Sequence, residues 1–117
     1  MAFDDFYKEL IEREKAVMLN KAEDYAKEGN RWANFEEIAA LTGKTREDIA
    51  LTYLLKHIQS ITKAVIEGNV EWAWVKSTGG EGLKQRVVDA RNYLALLAGM
   101  LKENTEKEAK KNDGKNV

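Results

Sequence analysis

At 117 residues the chain has the length of one domain, enough for three or four helices around a shared core and too short for two cores. Nineteen Lys and Arg against twenty Asp and Glu give a formal charge of -1, so no positive field exists to hold duplex nucleic acid. Cysteine is absent, which excludes disulfide scaffolds, thiolate zinc sites and Cys nucleophiles and leaves any metal to oxygen ligands or the single His57.

Proline is also absent, and Ala, Leu, Glu and Lys dominate, a mixture that favours helix almost throughout. The expected fold is all-α, a bundle of three long helices and one short helix, over a helical domain at 1–104 and a charged, frayed tail at 105–117. Met1 to Asp5 lacks the basic and apolar stretches of a signal peptide, and no run approaches the length of a membrane span, so a cytoplasmic protein without a membrane partner is expected.

In chain order, Phe6, Leu10, Val17 and Met18 repeat with helical spacing and predict a first helix over about 5–25, stopped at Lys27-Glu28-Gly29-Asn30. Asn34, with Glu37 three residues on, reads as the cap of a two-turn helix closed by Gly43. Thr45-Arg46-Glu47-Asp48 is a capping-box pattern before Ile49, Tyr53, Leu54, Ile58, Ile61 and Val65, so a third helix should end near Gly68-Asn69. Val70, Trp72 and Trp74 alternate with Glu71, Ala73 and Val75, a short extended segment or a loop rather than a sheet. Thr78-Gly79-Gly80-Glu81 is expected to open a fourth helix whose Leu83, Val87, Ala90, Leu94, Leu97 and Leu101 form its apolar stripe.

Charges that fall on a buried stripe are the informative positions, because a buried charge persists when it is paired, bound or used. Glu14, Lys21 and Asp24 continue the apolar line of the first helix, and Arg86 and Asp89 share a line with Tyr93, Leu96 and Met100 on the fourth, which turns Asp89 inward. In one reading Lys21, Asp24, Arg86 and Asp89 are ion pairs that tie helices together. In the other, Asp24, Glu81 and Asp89 hold Mg²⁺ while Lys21, Lys56 and Arg86 receive phosphate oxygens. Glu81 has a third reading, as the third residue of a capping box after Thr78. His57 fits a core histidine better than a ligand, since no second His or Cys accompanies it. Trp32, flanked by Asn30, Arg31 and Asn34, is the tryptophan best placed to stack on a base, although indoles more often fill cores. Gly79-Gly80-Glu81-Gly82 resembles a phosphate loop only loosely, without the Lys-Ser or Lys-Thr of a P-loop.

Lys21-Ala22-Glu23-Asp24-Tyr25, Asn34-Phe35, Leu55-Lys56-His57 and the stretch from Glu81 through Asp89-Ala90-Arg91-Asn92-Tyr93 together resemble small bacteriophage helical proteins of the nucleotide-modification-associated kind, distantly similar to MazG-type pyrophosphohydrolases. The resemblance spans roughly residues 15–101. It implies a bundle completed by self-association into a homo-oligomer and a role in handling nucleotides during infection. It adds Tyr25 and Asn92 to a ligand-binding set of Lys21, Asp24, Trp32, Asn34, Lys56, Arg86 and Asp89. The MazG-type pattern gathers two Glu three apart on one helix, and a Glu and an Asp three apart on another, around Mg²⁺. This chain departs from it: Glu9 and Glu12 have the first spacing, but Glu81 and Asp89 stand eight positions apart. The expected ligand is a nucleotide or nucleotide-derived small molecule. Either the protein hydrolyses a nucleoside triphosphate, or it is a non-enzymatic phage antidefence protein that sequesters a nucleotide signal or inhibits a host defence protein. A purely structural helical module is the third reading.

Overall fold

The computed structural model describes residues 1–25 and 29–115, with side chains over 1–20 and 29–112. Four helices account for its regular structure: α1 (Phe3–Tyr25), α2 (Ala33–Thr42), α3 (Arg46–Glu67) and α4 (Leu83–Lys115). Among the described residues no strand forms, and β-structure is confined to isolated bridge positions, Val75 and Glu81 making an antiparallel pair, in keeping with the expected all-α class. No described helix is long and apolar enough to cross a membrane.

Asp4 and Asp5 place negative charge in the first turn of α1, where it opposes the positive end of the helix dipole. The start of α2 differs from expectation. Asn30, not Asn34, organises it: Oδ1 accepts the Trp32 amide at 3.0 Å and Nδ2 donates to Glu36 at 2.9 Å. Asn34 already lies inside the helix, which runs ten residues rather than two turns and closes at Gly43 with φ 66°. The α3 boundaries agree with the sequence signals. The Thr45 hydroxyl accepts the Asp48 amide at 3.2 Å while Asp48 accepts the Thr45 amide at 3.2 Å, and Gly68 ends the helix. This reciprocal pair satisfies two amides that the helix leaves orphaned.

Helix α4 opens at Leu83 rather than Thr78. Gly79 and Gly80, with φ 92° and 86°, instead turn the chain back so that Lys76 and Gly82 donate to Gly80 and Trp74 carbonyls at 3.0 and 2.7 Å. Glu81 therefore precedes the helix and is not its capping-box residue. Gly82 is buried, and a Cβ there would run into the Ala73 carbonyl. At the other end α4 remains helical to Lys115, so residues 105–115 of the tail are helical. Lys107 pairs with Glu103 at 3.0 Å and Lys102 approaches Glu106 at 3.8 Å, the four-residue spacing that supports exposed helix.

The core joins Phe35 and Ala39 of α2, Ile49 and Ala50 of α3 and Met100 of α4, with Trp32, Ile38, Tyr53, Tyr93, Leu96 and Leu97 against them. The stripe read from Leu83 to Leu101 is buried only in part: Ala90 is buried and Leu97 packs on the core. Leu94 and Leu101 are exposed, whereas Val88, Asp89, Asn92 and Met100 are buried, because α2 and α3 cover the line that carries Asp89 and Tyr93. Helix α1 is fastened to α4 by Glu14, which accepts from Nε and Nη2 of Arg91 at 3.2 and 3.0 Å. Phe6 of α1 meets Trp72 edge-on at 5.6 Å.

Candidate functional site

Between α1, α2, α3 and α4 lies a pocket of about 460 Å³, lined by Met18, Arg31, Asn34, Phe35, Glu37, Ile38, Tyr53, Asp89, Asn92, Tyr93 and Leu96. Helical spacing brings these together: Asn34 and Phe35 with Ile38 sit on one side of α2, and Asp89, Asn92, Tyr93 and Leu96 follow each other at three- and four-residue steps on α4. Three aromatic rings form a cluster in its wall. Phe35 meets Tyr53 at 6.2 Å and Tyr93 edge-on at 6.4 Å, and Tyr53 meets Tyr93 at 5.7 Å. His57 stacks on the Tyr93 ring at 5.4 Å. Arg31 ties this region to α1, its Nη1 donating to the Met18 carbonyl at 3.4 Å.

Two polar groups are buried in that wall. Asp89, 5% exposed, accepts a hydrogen bond from Gln85 Nε2 at 2.9 Å, one helical turn earlier. Asn92 is equally buried, and neither its Oδ1 nor its Nδ2 has a hydrogen-bond partner among the described residues. An amide left so costs about 1–3 kcal/mol for each unsatisfied atom, and native structures keep few such groups. It offers one donor and one acceptor side by side, the complement of a nucleobase edge.

The sequence-derived site divides. Asn34, Asp89 and Asn92 come together in this pocket. The side chains of Lys21, Asp24 and Tyr25 lie outside the described residues. Arg86 and Glu81 belong to a second, polar recess of about 660 Å³ near the α3–α4 connection, where they pair with each other at 3.1 Å. Lys56 is exposed on α3 and lines neither recess. Of the Mg²⁺ set, the Asp24 side chain lies outside the described residues, while Glu81 pairs with Arg86 in the second recess and Asp89 lines the first. The described residues contain no group of three carboxylates or imidazoles arranged to share a metal. Glu9, which with Glu12 has the first MazG-type spacing on α1, faces Lys84 at 4.0 Å.

Trp32 is the clearest correction. Its ring packs against the core, its indole N–H donates to Glu103 at 2.9 Å, and Arg46 lies over it at 5.7 Å. A Cβ at Gly99 would come within 2.9 Å of the ring edge, so the missing side chain admits the indole. Arg46, hidden in the sequence inside a capping box, is the hub of this cluster. It reaches Glu47 at 3.1 Å, Glu103 at 3.2 Å, Glu36 at 3.3 Å and Asn104 at 2.8 Å. Burial alone would make the Arg46 guanidinium easier to deprotonate, but hydrogen bonds and charge from Glu47 and Glu103 prevail and raise its pKa. The Trp32 N–H, followed by Lys107 and Arg46, holds the Glu103 carboxyl down at about 2. Glu47 is likewise lowered: burial opposes this, and the Asn104 amide and Arg46 outweigh it. At Arg91, burial works against the charge and Glu14 overcomes it, raising the pKa.

The aromatic wall of the pocket was missing from the sequence-derived site. Phe35 and Tyr93 stood in the quoted motifs, yet periodicity alone gave them no role beyond filling a core. Comparison with protein-family models, with curated proteins and with solved structures found no match to this chain.

Proposed function

We propose that the protein binds a nucleotide or nucleotide-derived small molecule, with the base in the pocket of Phe35, Tyr53, Tyr93 and Asn92. The observation that carries this reading is the buried, unpartnered Asn92 amide beside an aromatic wall. Such a wall supplies stacking that any base accepts, and the amide supplies an oriented donor and acceptor. Arg31 brings a cation to the same pocket, and an Arg fork suits phosphate oxygens. The sequence resemblance gives the setting, a phage or prophage protein acting during infection in the host cell cytoplasm, as a homo-oligomer.

Between hydrolysis and sequestration, the separation of Glu81 from Asp89 favours sequestration. A sponge for a nucleotide signal needs the base pocket and not the carboxylate cage. The direct test is mass spectrometry of small molecules released from the purified protein, beside incubation with a panel of nucleoside mono-, di- and triphosphates with and without Mg²⁺. Wild type should retain an unchanged nucleotide, and Asn92→Leu should lose it. Mg²⁺-dependent product that disappears in Asp89→Ala would establish the pyrophosphohydrolase alternative. Neither bound nucleotide nor product would overturn the nucleotide reading and leave a protein partner or a structural module.

A further inference from the structure

Asp89 and Asn92, the two buried polar residues of the pocket, stand three positions apart on α4, which puts them on the same side of the helix about one turn from each other. Gln85 lies a further turn back and donates from Nε2 to Asp89 Oδ1 at 2.9 Å, fixing how the carboxylate is turned. Asn92 has no such holder: neither its Oδ1 nor its Nδ2 has a partner among the described residues. Phe35, Tyr53 and Tyr93 complete the wall, so a flat ligand stacked on these rings presents its edge to an amide and a carboxylate.

The two groups ask different things of that edge. An amide offers a donor beside an acceptor and can turn over, so Asn92 alone selects a hydrogen-bonding edge and not one base. A carboxylate accepts and does not donate. Its two oxygens offer about four acceptor directions, so the bond from Gln85 and a bond from a ligand are compatible. Together the pair calls for a base edge with a donor and an acceptor side by side for the amide, and a further donor next to them for the carboxylate. On its Watson–Crick edge guanine carries the O6 acceptor, the N1–H donor and the N2 amine donor in that order, and meets all three demands. Cytosine has one donor followed by two acceptors, and uracil has a donor between two acceptors. Adenine has one donor, one acceptor and a carbon-bound hydrogen. Read from either end, each of these leaves the amide or the carboxylate without a match.

We propose that the base taken by this pocket is guanine, with O6 and N1–H on the Asn92 amide and the N2 amine on the Asp89 carboxylate. This specificity rests on the nucleotide reading above and adds to it the choice of base. The aromatic wall holds the plane of any base, and the row of polar atoms chooses among them. A base of the wrong pattern leaves a buried polar group unpaired, which discriminates far more steeply than apolar fit does.

Calorimetric titration of the protein with guanosine, inosine, xanthosine, adenosine, cytidine and uridine monophosphates tests this. Guanosine monophosphate should bind tightest. Inosine monophosphate, which lacks only the N2 amine, should bind at least about tenfold more weakly, the equivalent of one lost hydrogen bond to a charged group. Xanthosine monophosphate, with an oxygen in place of that amine, should bind more weakly still. In Asp89→Asn the order should reverse, because the new amide can donate to the xanthine oxygen, and xanthosine monophosphate should then bind more tightly than guanosine monophosphate. If Asp89→Asn fails to fold, the comparison of guanosine with inosine on wild type carries the test. Equal binding of all the bases, or tightest binding of adenosine or a pyrimidine nucleotide, overturns the guanine assignment and leaves the nucleotide reading standing. Equal binding of guanosine and inosine monophosphates overturns it too, since the N2 amine then makes no contact. Binding of none of them overturns both readings together.

Discussion

The Arg46 cluster and the Asn92 pocket are built from the same helices α2, α3 and α4, and they treat buried polarity in opposite ways. Around Arg46 each charge has a counterpart: Glu36, Glu47, Glu103 and Asn104 surround the guanidinium, and the Trp32 N–H is spent on Glu103. Around Asn92 the aromatic rings close in on an amide with neither atom bonded among the described residues. A satisfied network locks helices together, whereas an unsatisfied group destabilises the free protein and becomes useful when a ligand supplies the missing partners. The first region is thus read as structural and the second as functional, although sequence reasoning placed a functional tryptophan in the first.

Substitution can break that contrast most sharply at Arg46. Arg46→Met should lower the unfolding free energy by about 2 kcal/mol, because it leaves several carboxylates without their common cation. Urea denaturation reads this, and a near-neutral result would remove the structural role of the cluster. Asn92→Leu should act in the opposite direction, raising stability by about 1 kcal/mol as an unsatisfied amide gives way to an apolar group of similar size. Nucleotide affinity, measured by calorimetry, should fall at least about tenfold, the equivalent of one lost hydrogen bond to a polar ligand. A variant that loses stability instead would mean that Asn92 has a structural role, and the contrast would fail.

Acid sharpens the comparison further. The Glu103 carboxyl titrates at about 2 in the folded protein, below its ordinary value of 4.5. Its contribution is fully present above the ordinary value and is lost as pH falls through the folded one. Wild type should therefore lose more stability than Glu103→Gln between pH 4.5 and 2, and thermal melts across that window should converge. The smallest effect is expected at Arg86→Ala. The Arg86–Glu81 pair is partly exposed, and such pairs are worth about 0.5 kcal/mol. Its loss should leave both stability and nucleotide binding near wild type.

The legible parts of the fold were those written in local chemistry. Thr45 with Asp48, Gly43 and Gly68 mark helix ends whose hydrogen bonds lie within a few residues, and their positions were readable from the sequence. Asp89 was also legible as inward-facing, because a three- and four-residue pattern carries that information without any neighbour. What was not legible depends on chain segments meeting across long separations. Arg46 and Glu103 are 57 positions apart, so nothing near either announces the pair. Leu94 and Leu101 of α4 look like core positions until α2 and α3 are seen to cover a different line. Trp32 looked ligand-ready among polar neighbours because the gap at Gly99 that receives it lies 67 positions downstream in the sequence.

The turn at Gly79-Gly80 and the absent Cβ of Gly82 have a kinetic consequence. The Gly82 amide is bonded to Trp74 and the Lys84 amide to Ala73, so the loop between α3 and α4 is stitched onto the first turn of the longest helix. These amides should exchange with deuterium on the timescale of α4 itself rather than of a surface loop. Nicking by a protease between Ala73 and Gly82 should accordingly require α4 to open first, so that a connection without a core of its own takes its lifetime from the helix it borrows.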